Sequence, residues 1–136
     1  MTRLCEIIAT SPDKKRAICI DKQNKNLILE YIKQSPRHLK KWQHIVEIIL
    51  GGHRNPELYD KEEINEKCKG VTAMKFFKGQ ENDRIYCKEQ SNNDGTYIVV
   101  TAEIFLRKKS NKVSKKEIPI IEKVGQYEYK IQEPRS

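Results

Sequence analysis

Four side chains with the chemistry to act on a phosphate lie in three strand-like runs of the sequence, at positions that alternate with apolar residues: Lys75, Arg84, Tyr86 and Glu103. Successive side chains of a β-strand point to opposite faces of its sheet. If the three runs pair as neighbouring strands, these four side chains therefore share one face. The other parity of each run carries the apolar residues expected in a core.

A guanidinium, an ammonium, a phenol and a carboxylate on one face are the groups needed to cleave RNA by attack of a 2′-hydroxyl on the adjacent phosphate. Arg84 and Lys75 could stabilise charge on the phosphoryl oxygens. Glu103 or Tyr86 could exchange protons with the nucleophile or the leaving group. The alternative is a solvated face on which the cations pair with Glu103 across strands. These residues by themselves leave both interpretations open.

Two further groups of cations are placed to contact a polyanion. One follows the third strand-like run and contains Arg107, Lys108, Lys109 and Lys112. The other has the i, i+3, i+4 spacing of a helix face and contains Arg37, Lys40 and Lys41. A solvated helix face is the alternative for this second group.

The net charge of +8 favours a nucleic acid as partner, and next an acidic protein, because cations that neutralise phosphates release counterions. The alternative is a basic protein whose charge serves solubility alone. His38 and His44 have no spacing typical of a metal site, and we expect both on the surface. The four cysteines lie too far apart for a CxxC pair, so we expect neither a zinc ribbon nor a thioredoxin-like motif. Cys5, Cys19 and Cys87 lie in strand-like apolar runs, and we expect them to be buried thiols. We expect no metal and no cofactor.

The elements that must position these residues follow from the apolar periodicity of the chain. Pro12 lies in a turn between two short β-rich runs, which predicts an N-terminal hairpin. Pro36 opens a second helix, and Gly51-Gly52 ends it. The predicted elements are strands at 4–10 and 16–20, helices at 24–34 and 36–50, strands at 71–77, 84–90 and 97–106, and a helix that begins at Lys115.

The run 97–106 has one wholly apolar parity, formed by Ile98, Val100, Ala102, Ile104 and Leu106. We expect this parity to pack on the helix pair, with Thr101 and Glu103 on the opposite face. A capping box of Ser114 and Glu117 marks the start of the last helix. These patterns predict an α+β fold of two layers, with an N-terminal strand or hairpin, an antiparallel helix pair packed on an antiparallel β-meander, and a C-terminal helix.

The length of 136 residues and the lack of a Gly/Ser-rich linker predict one domain over 1–136, with a β extension at about 1–20 and a variable tail at about 125–136. No apolar run approaches the roughly 18 residues of a membrane span, and charge precedes any apolar region near the first residue. We therefore expect a cytoplasmic protein with no membrane partner.

The order of these patterns resembles that of the RelE/HigB superfamily of type II toxin-antitoxin toxins, particularly its phage Gp49-like branch. The segment 108–118, KKSNKVSKKEI, is similar without a gap to that branch's KKTQKTPKREI pattern. The segments VTAMKFF and DRIYCK resemble two family strands, with Lys75 where the family often has arginine, and Arg84 and Tyr86 matching directly. The resemblance covers roughly residues 24–122.

The resemblance implies a helix pair on an antiparallel sheet whose other face enters the ribosomal A site and cleaves mRNA. It also implies a cognate antitoxin, usually a helix-turn-helix DNA-binding protein. Lys75, Arg84, Lys108 and Lys109 take the catalytic or phosphate-binding roles of the family. Tyr86 and Glu103 are candidates from the face geometry alone.

Two other functions remain open alongside the endoribonuclease. Ala73 stands where relatives often have glutamate or a cation, and the chain has a β-like tail after Val124 where many relatives are helical. These departures leave open a catalytically inactive or diverged member that acts as a basic RNA- or protein-binding module. A toxin that inhibits gyrase, as some of the wider superfamily do, is the third alternative.

Overall fold

A computed structural model describes residues 2–77, 81–106 and 115–132 of the chain. The described residues form three α-helices and one seven-stranded sheet. In chain order the elements are β1 Thr2–Thr10, β2 Arg16–Asp21, α1 Lys25–Lys33, α2 Pro36–Leu50, β3 Tyr59–Lys61, β4 Val71–Phe76, β5 Asp83–Ser91, β6 Tyr97–Phe105, α3 Ile118–Gln126 and β7 Glu128–Ile131. A short 3₁₀ helix, Glu66–Cys68, precedes β4.

The sheet has the strand order β3-β4-β5-β6-β2-β1-β7. The predicted meander of β4, β5 and β6 is confirmed, and so are the N-terminal hairpin and the β-like tail. The sheet is mixed rather than purely antiparallel, because β2 pairs in parallel with β6 and β1 with β7. Parallel neighbours need a crossover connection, which the helix pair provides for β2. The predicted extension and tail thus pair with each other.

Two apolar clusters lie on opposite faces of the sheet. On one face α1 and α2 pack on alternate strand residues that include Met74, Ile85 and Val99. On the other face Ile121 and Val124 of α3 pack on the intervening positions. The predicted α+β class with its helix pair and C-terminal helix is confirmed, and α3 adds a layer on the face away from the helix pair.

The helix ends follow local chemistry. Ser35 adopts extended backbone before α2, and its hydroxyl accepts a hydrogen bond from the backbone N–H of His38 at 3.1 Å, with Pro36 as the first helical residue. The predicted start of the last helix at Lys115 is wrong, because α3 begins at Ile118. Glu117 gives no side-chain cap there, since its carboxylate accepts a hydrogen bond from a buried tyrosine instead. Ser114 lies outside the described residues.

A β-bulge at Ala102 overturns the predicted parity of β6. Tyr86 pairs with Glu103 while its neighbour Cys87 pairs with Thr101, so Ala102 is an extra residue in β6. Before the bulge, Ile98, Val100 and Ala102 pack against α3 rather than against the helix pair. After the bulge, Ile104 packs on the helix-pair face, as predicted.

A buried polar network joins three neighbouring strands at one edge of the sheet. Arg3 donates to both carboxylate oxygens of Asp21, at 2.7 and 3.1 Å, and its guanidinium stacks on the Tyr127 ring at 4.2 Å. The Tyr129 hydroxyl donates to the same carboxylate at 2.5 Å. The network therefore fastens β1, β2 and β7 together. Cys5, Cys19 and Cys87 are buried and free, as predicted, and Cys68 is buried and free as well. Among the residues described, no helix is long and apolar enough to cross a membrane.

Candidate functional site

The sheet face that α3 partly covers carries the four side chains singled out in the sequence. Lys75 pairs with Arg84 across β4 and β5, and in the next row of this face Tyr86 pairs with Glu103 across β5 and β6. The structure therefore brings the four onto one face in two adjacent rows. Thr101, predicted on this face, is the exception: the bulge places it opposite Cys87 on the helix-pair face.

Arg84 is the most unusual of these residues because two nitrogens of its guanidinium are buried without acceptors. The residue is 2% exposed, and neither Nε nor Nη1 has a hydrogen-bond acceptor in the described part of the chain. Its cross-strand neighbours are Lys75 and Phe105, which supply no carboxylate. A buried guanidinium with unsatisfied N–H groups is costly. The described fold therefore leaves two buried donors of Arg84 without an acceptor.

Lys75 lies beside Arg84 and keeps partial contact with solvent. Its ammonium donates to the carbonyl oxygen of Pro56 at 3.0 Å, a backbone acceptor in the exposed connection between α2 and β3. A backbone carbonyl is a weaker partner for an ammonium than a charged oxygen. Lys75 is therefore placed to exchange this contact for an anion near Arg84.

Tyr86 is fully buried, and its hydroxyl donates to the carboxylate of Glu117, which is also fully buried. Burial raises the pKa of Tyr86, and the hydrogen bond to Glu117 and the charge of that carboxylate raise it further. The phenol therefore keeps its proton at neutral pH and is poorly suited to act as a general base. Sequence reasoning missed Glu117 because its capping-box spacing gave no sign of a partner on β5.

Glu103 is held by three partners. Its carboxylate accepts hydrogen bonds from the Asn24 amide at 3.0 Å and the Tyr127 hydroxyl at 2.9 Å, and it forms an ion pair with Lys123 at 3.4 Å. Burial and the bond to Glu103 raise the pKa of Tyr127. Glu103 thus joins β6 to α3 and to the start of α1. This engagement makes it a structural link rather than an available base.

The cationic stripe on α2 borders an open groove whose floor is an aromatic ring. The groove has a volume of about 490 Å³ and is lined by Arg37, Lys40, Lys41, His44 and Phe77. The Arg37 guanidinium lies over the Phe77 ring at 3.6 Å and also donates to Glu81 at 3.3 Å. The structure therefore brings the three predicted cations together with Phe77, which the sequence marked only as a strand residue.

Three potential metal ligands meet at the start of β5. One ligand atom from each of His38, Glu81 and Asp83 lies within 4.8 Å of the others. The expectation that His38 is a surface residue is wrong, since it is 8% exposed and its ring contacts Tyr31 and Phe77 edge-on. Each ligand also has a protein partner: Ser35 for His38, Arg37 for Glu81 and Tyr31 for Asp83. The short distances between these three ligand atoms are the single observation among the described residues that favours a cation here.

Four of the predicted site residues, Arg107, Lys108, Lys109 and Lys112, lie outside the described residues. Comparison of the chain with protein-family models, curated proteins and solved structures found no match.

Proposed function

We propose that this chain is the toxin of a type II toxin-antitoxin pair, which cleaves mRNA on the ribosome by attack of a 2′-hydroxyl on the adjacent phosphate. The observation that carries the proposal is Arg84, buried at 2% exposure with no acceptor for Nε or Nη1 among the described residues. An RNA phosphate supplies the oxygens that these N–H groups lack, and a guanidinium matches a phosphate through its planar fork.

In the proposed reaction, Arg84 holds the phosphate of the scissile bond, and Lys75 turns to it from the Pro56 carbonyl. The two cations stabilise negative charge as it develops on the phosphoryl oxygens. The hydrogen bond from Tyr86 to Glu117 holds the start of α3 against β5. By the sequence resemblance, Lys108 adds a further cation. The 2′-oxygen bonds to the phosphorus while the bond from phosphorus to the 5′-oxygen of the next nucleotide breaks, which gives a 2′,3′-cyclic phosphate and a free 5′-hydroxyl. The 2′-hydroxyl loses its proton to water, and water supplies one to the 5′-oxygen. The reaction needs no cofactor.

A non-catalytic RNA-binding module is the second candidate function, and one observation favours it. Both candidates for proton transfer are engaged in the fold, Tyr86 with Glu117 and Glu103 with Lys123 and Tyr127. The described residues thus supply charge stabilisation more clearly than acid-base chemistry. This candidate predicts salt-sensitive RNA affinity with no cleavage when translating ribosomes are present.

The proposal includes a cognate antitoxin, a helix-turn-helix DNA-binding protein that covers or blocks the RNA face. Co-expression of such a protein, encoded next to this chain, should restore growth to cells that express the toxin. An antitoxin that restores growth should also form a stable complex with the purified chain.

The deciding experiment is controlled expression with primer-extension mapping of mRNA ends. Wild-type protein should arrest growth and produce cuts within codons, whereas Arg84→Met and Lys75→Met should relieve both effects at equal protein levels. Lys22→Met removes the same charge from the exposed turn after β2 and should remain toxic. Growth arrest with DNA damage and intact mRNA would instead indicate gyrase inhibition, and normal growth with abundant wild-type protein would contradict a toxin.

A further inference from the structure

The groove between α2 and Phe77 lies on the opposite side of the sheet from Arg84. Phe77 and α2 belong to the apolar cluster on the helix-pair face, whereas Tyr86 and Ala73, which share the face of Arg84 and Lys75, belong to the cluster under α3. The groove is therefore a region separate from the face that carries Arg84.

Phe77 has a backbone conformation that bulky residues rarely adopt. Its φ is 52°, in the left-handed region, and the ring is 8% exposed. The ring is held edge-on to His38 at 4.9 Å and carries the Arg37 guanidinium on its face at 3.6 Å. Strained backbone of this kind clusters at binding sites. The Phe77 ring is thus a rigid support for the planar guanidinium of Arg37.

The positive charge of the groove favours an anionic occupant. Lys40 and Lys41 flank the stacked guanidinium one helical turn along α2, and His44 follows one turn further on. The Arg37 side chain is 47% exposed, so part of it contacts solvent. Bases of single-stranded RNA stack on guanidinium planes as well as on aromatic rings, and phosphates bind lysines beside them.

We propose that this groove binds single-stranded RNA, with one base stacked on the Arg37 plane over Phe77 and the adjoining phosphates bound by Lys40 and Lys41. The choice of RNA rests on the proposed function, but binding in the groove requires neither Arg84 nor cleavage. The groove is a second binding region that fixes the RNA strand, while the face with Arg84 carries the chemistry.

The test measures binding of a short fluorescent oligouridylate to the purified protein over a range of salt concentrations. Lys40→Gln/Lys41→Gln should weaken binding about fivefold or more. It should also reduce the slope of log K against log salt by about 0.7 for each phosphate that the variant no longer neutralises. The matched control Lys22→Gln/Lys130→Gln removes two cations at exposed positions, one in the turn after β2 and one in the edge strand β7, and should change neither quantity. Equal melting temperatures would show that the variants are folded.

A charge-conserving variant tests the stacked base. Arg37→Lys keeps the cation but loses the plane, so it should weaken binding of the oligouridylate and leave binding of inorganic polyphosphate unchanged. Equal loss for both probes, or for neither, would overturn the stacking role. Displacement of the oligouridylate by polyglutamate as readily as by unlabelled RNA of the same charge would overturn RNA as the occupant and favour an acidic protein.

These outcomes separate the groove from the proposed function. Wild-type affinity and salt slope in Lys40→Gln/Lys41→Gln would overturn the groove inference, even if the wild-type protein cleaves mRNA on ribosomes. Weakened binding in that variant would support the groove, even if the wild-type protein cleaves nothing and the proposed function fails.

Discussion

At the scale of single residues, two buried arginines differ in whether their N–H groups have acceptors. Arg3, 8% exposed, donates to both oxygens of Asp21, whereas Arg84, 2% exposed, has no acceptor for Nε or Nη1 in the parts of the chain that are described. Removing a guanidinium from water without pairing it lowers stability. The fold accounts for Arg3. Under the proposed function an RNA phosphate would be the acceptor for Arg84, since proteins break such local rules mainly at functional sites.

Replacing each arginine by methionine should therefore have effects of opposite sign. Arg84→Met should raise the free energy of unfolding by about 1–3 kcal/mol, because it removes unpaired buried donors. Arg3→Met should lower it by about 3–5 kcal/mol, because it leaves the Asp21 carboxylate buried without its cation. Urea denaturation followed by the fluorescence of Trp42 measures both. A large loss of stability in Arg84→Met would show that the guanidinium has a structural partner instead.

Alternation along β4 and β5 was sufficient to place Lys75, Arg84 and Tyr86 on one face. It could not show that Tyr86 is sealed by Glu117, because that contact depends on where α3 docks. The burial of Arg84 is likewise a property of the assembled layers. Sequence patterns thus predicted which residues face the same way, and tertiary packing decided which of them remain available for chemistry.

At the scale of secondary structure, the patterns predicted most elements but not the layer on which each strand residue packs. In β6 both parities contain apolar residues, so Val99 and Val100 were equally suited to either cluster. The bulge at Ala102 then shifted the alternation by one residue. A bulge depends on the neighbouring strand, and the β6 sequence alone gave no sign of it.

Gly125 in α3 gives a prediction in which two effects oppose each other. Helix propensity favours Gly125→Ala by about 1 kcal/mol. A Cβ at this position would, however, lie 1.9 Å from the Lys67 carbonyl oxygen and 2.8 Å from the Cys68 Cα, both backbone atoms. Since backbone cannot move aside cheaply, the substitution should lower stability by about 1–3 kcal/mol net.

Gly95→Ala provides the control for Gly125→Ala. Gly95 has a φ of +88° but open space around it, so alanine there meets conformational strain without any overlap. Thermal denaturation should rank Gly125→Ala below Gly95→Ala, and the RNA-cleavage assay should show a loss confined to Gly125→Ala. The reverse order of stability would mean that α3 can shift away from the 3₁₀ helix.

At the scale of the whole molecule, the surroundings of all six tyrosines raise the pKa of the phenol. Burial is the largest cause that raises the pKa of each one, and neighbouring carboxylates raise it further for most of them: Tyr31, Tyr59, Tyr86, Tyr97, Tyr127 and Tyr129. The raised values describe the folded state alone. In the unfolded chain a tyrosine ionises near its ordinary pKa of about 10.

The protein should therefore unfold in alkali. Below about pH 10 both states keep their phenol protons, so the tyrosines give no pH dependence of stability there. Above it the unfolded chain ionises first, so stability should fall by up to about 1.4 kcal/mol per pH unit for each tyrosine. Urea midpoints and tyrosinate absorbance measured together should change in one step, and Tyr31→Phe should make the fall shallower. Tyrosinate that appears gradually in the native protein would contradict this account.

The parallel pairing of β1 with β7 has a consequence for the order of events during synthesis. The bond from Tyr129 to Asp21 joins residues 108 positions apart, and Thr2 pairs with Glu128. Contacts so distant in sequence slow folding, because a long loop must close before they form. While translation is under way, the edge of β1 that later pairs with β7 is unpaired, and the seven-stranded sheet is complete only after residue 131 has been made. Until then that edge is open to pairing with a strand of another chain.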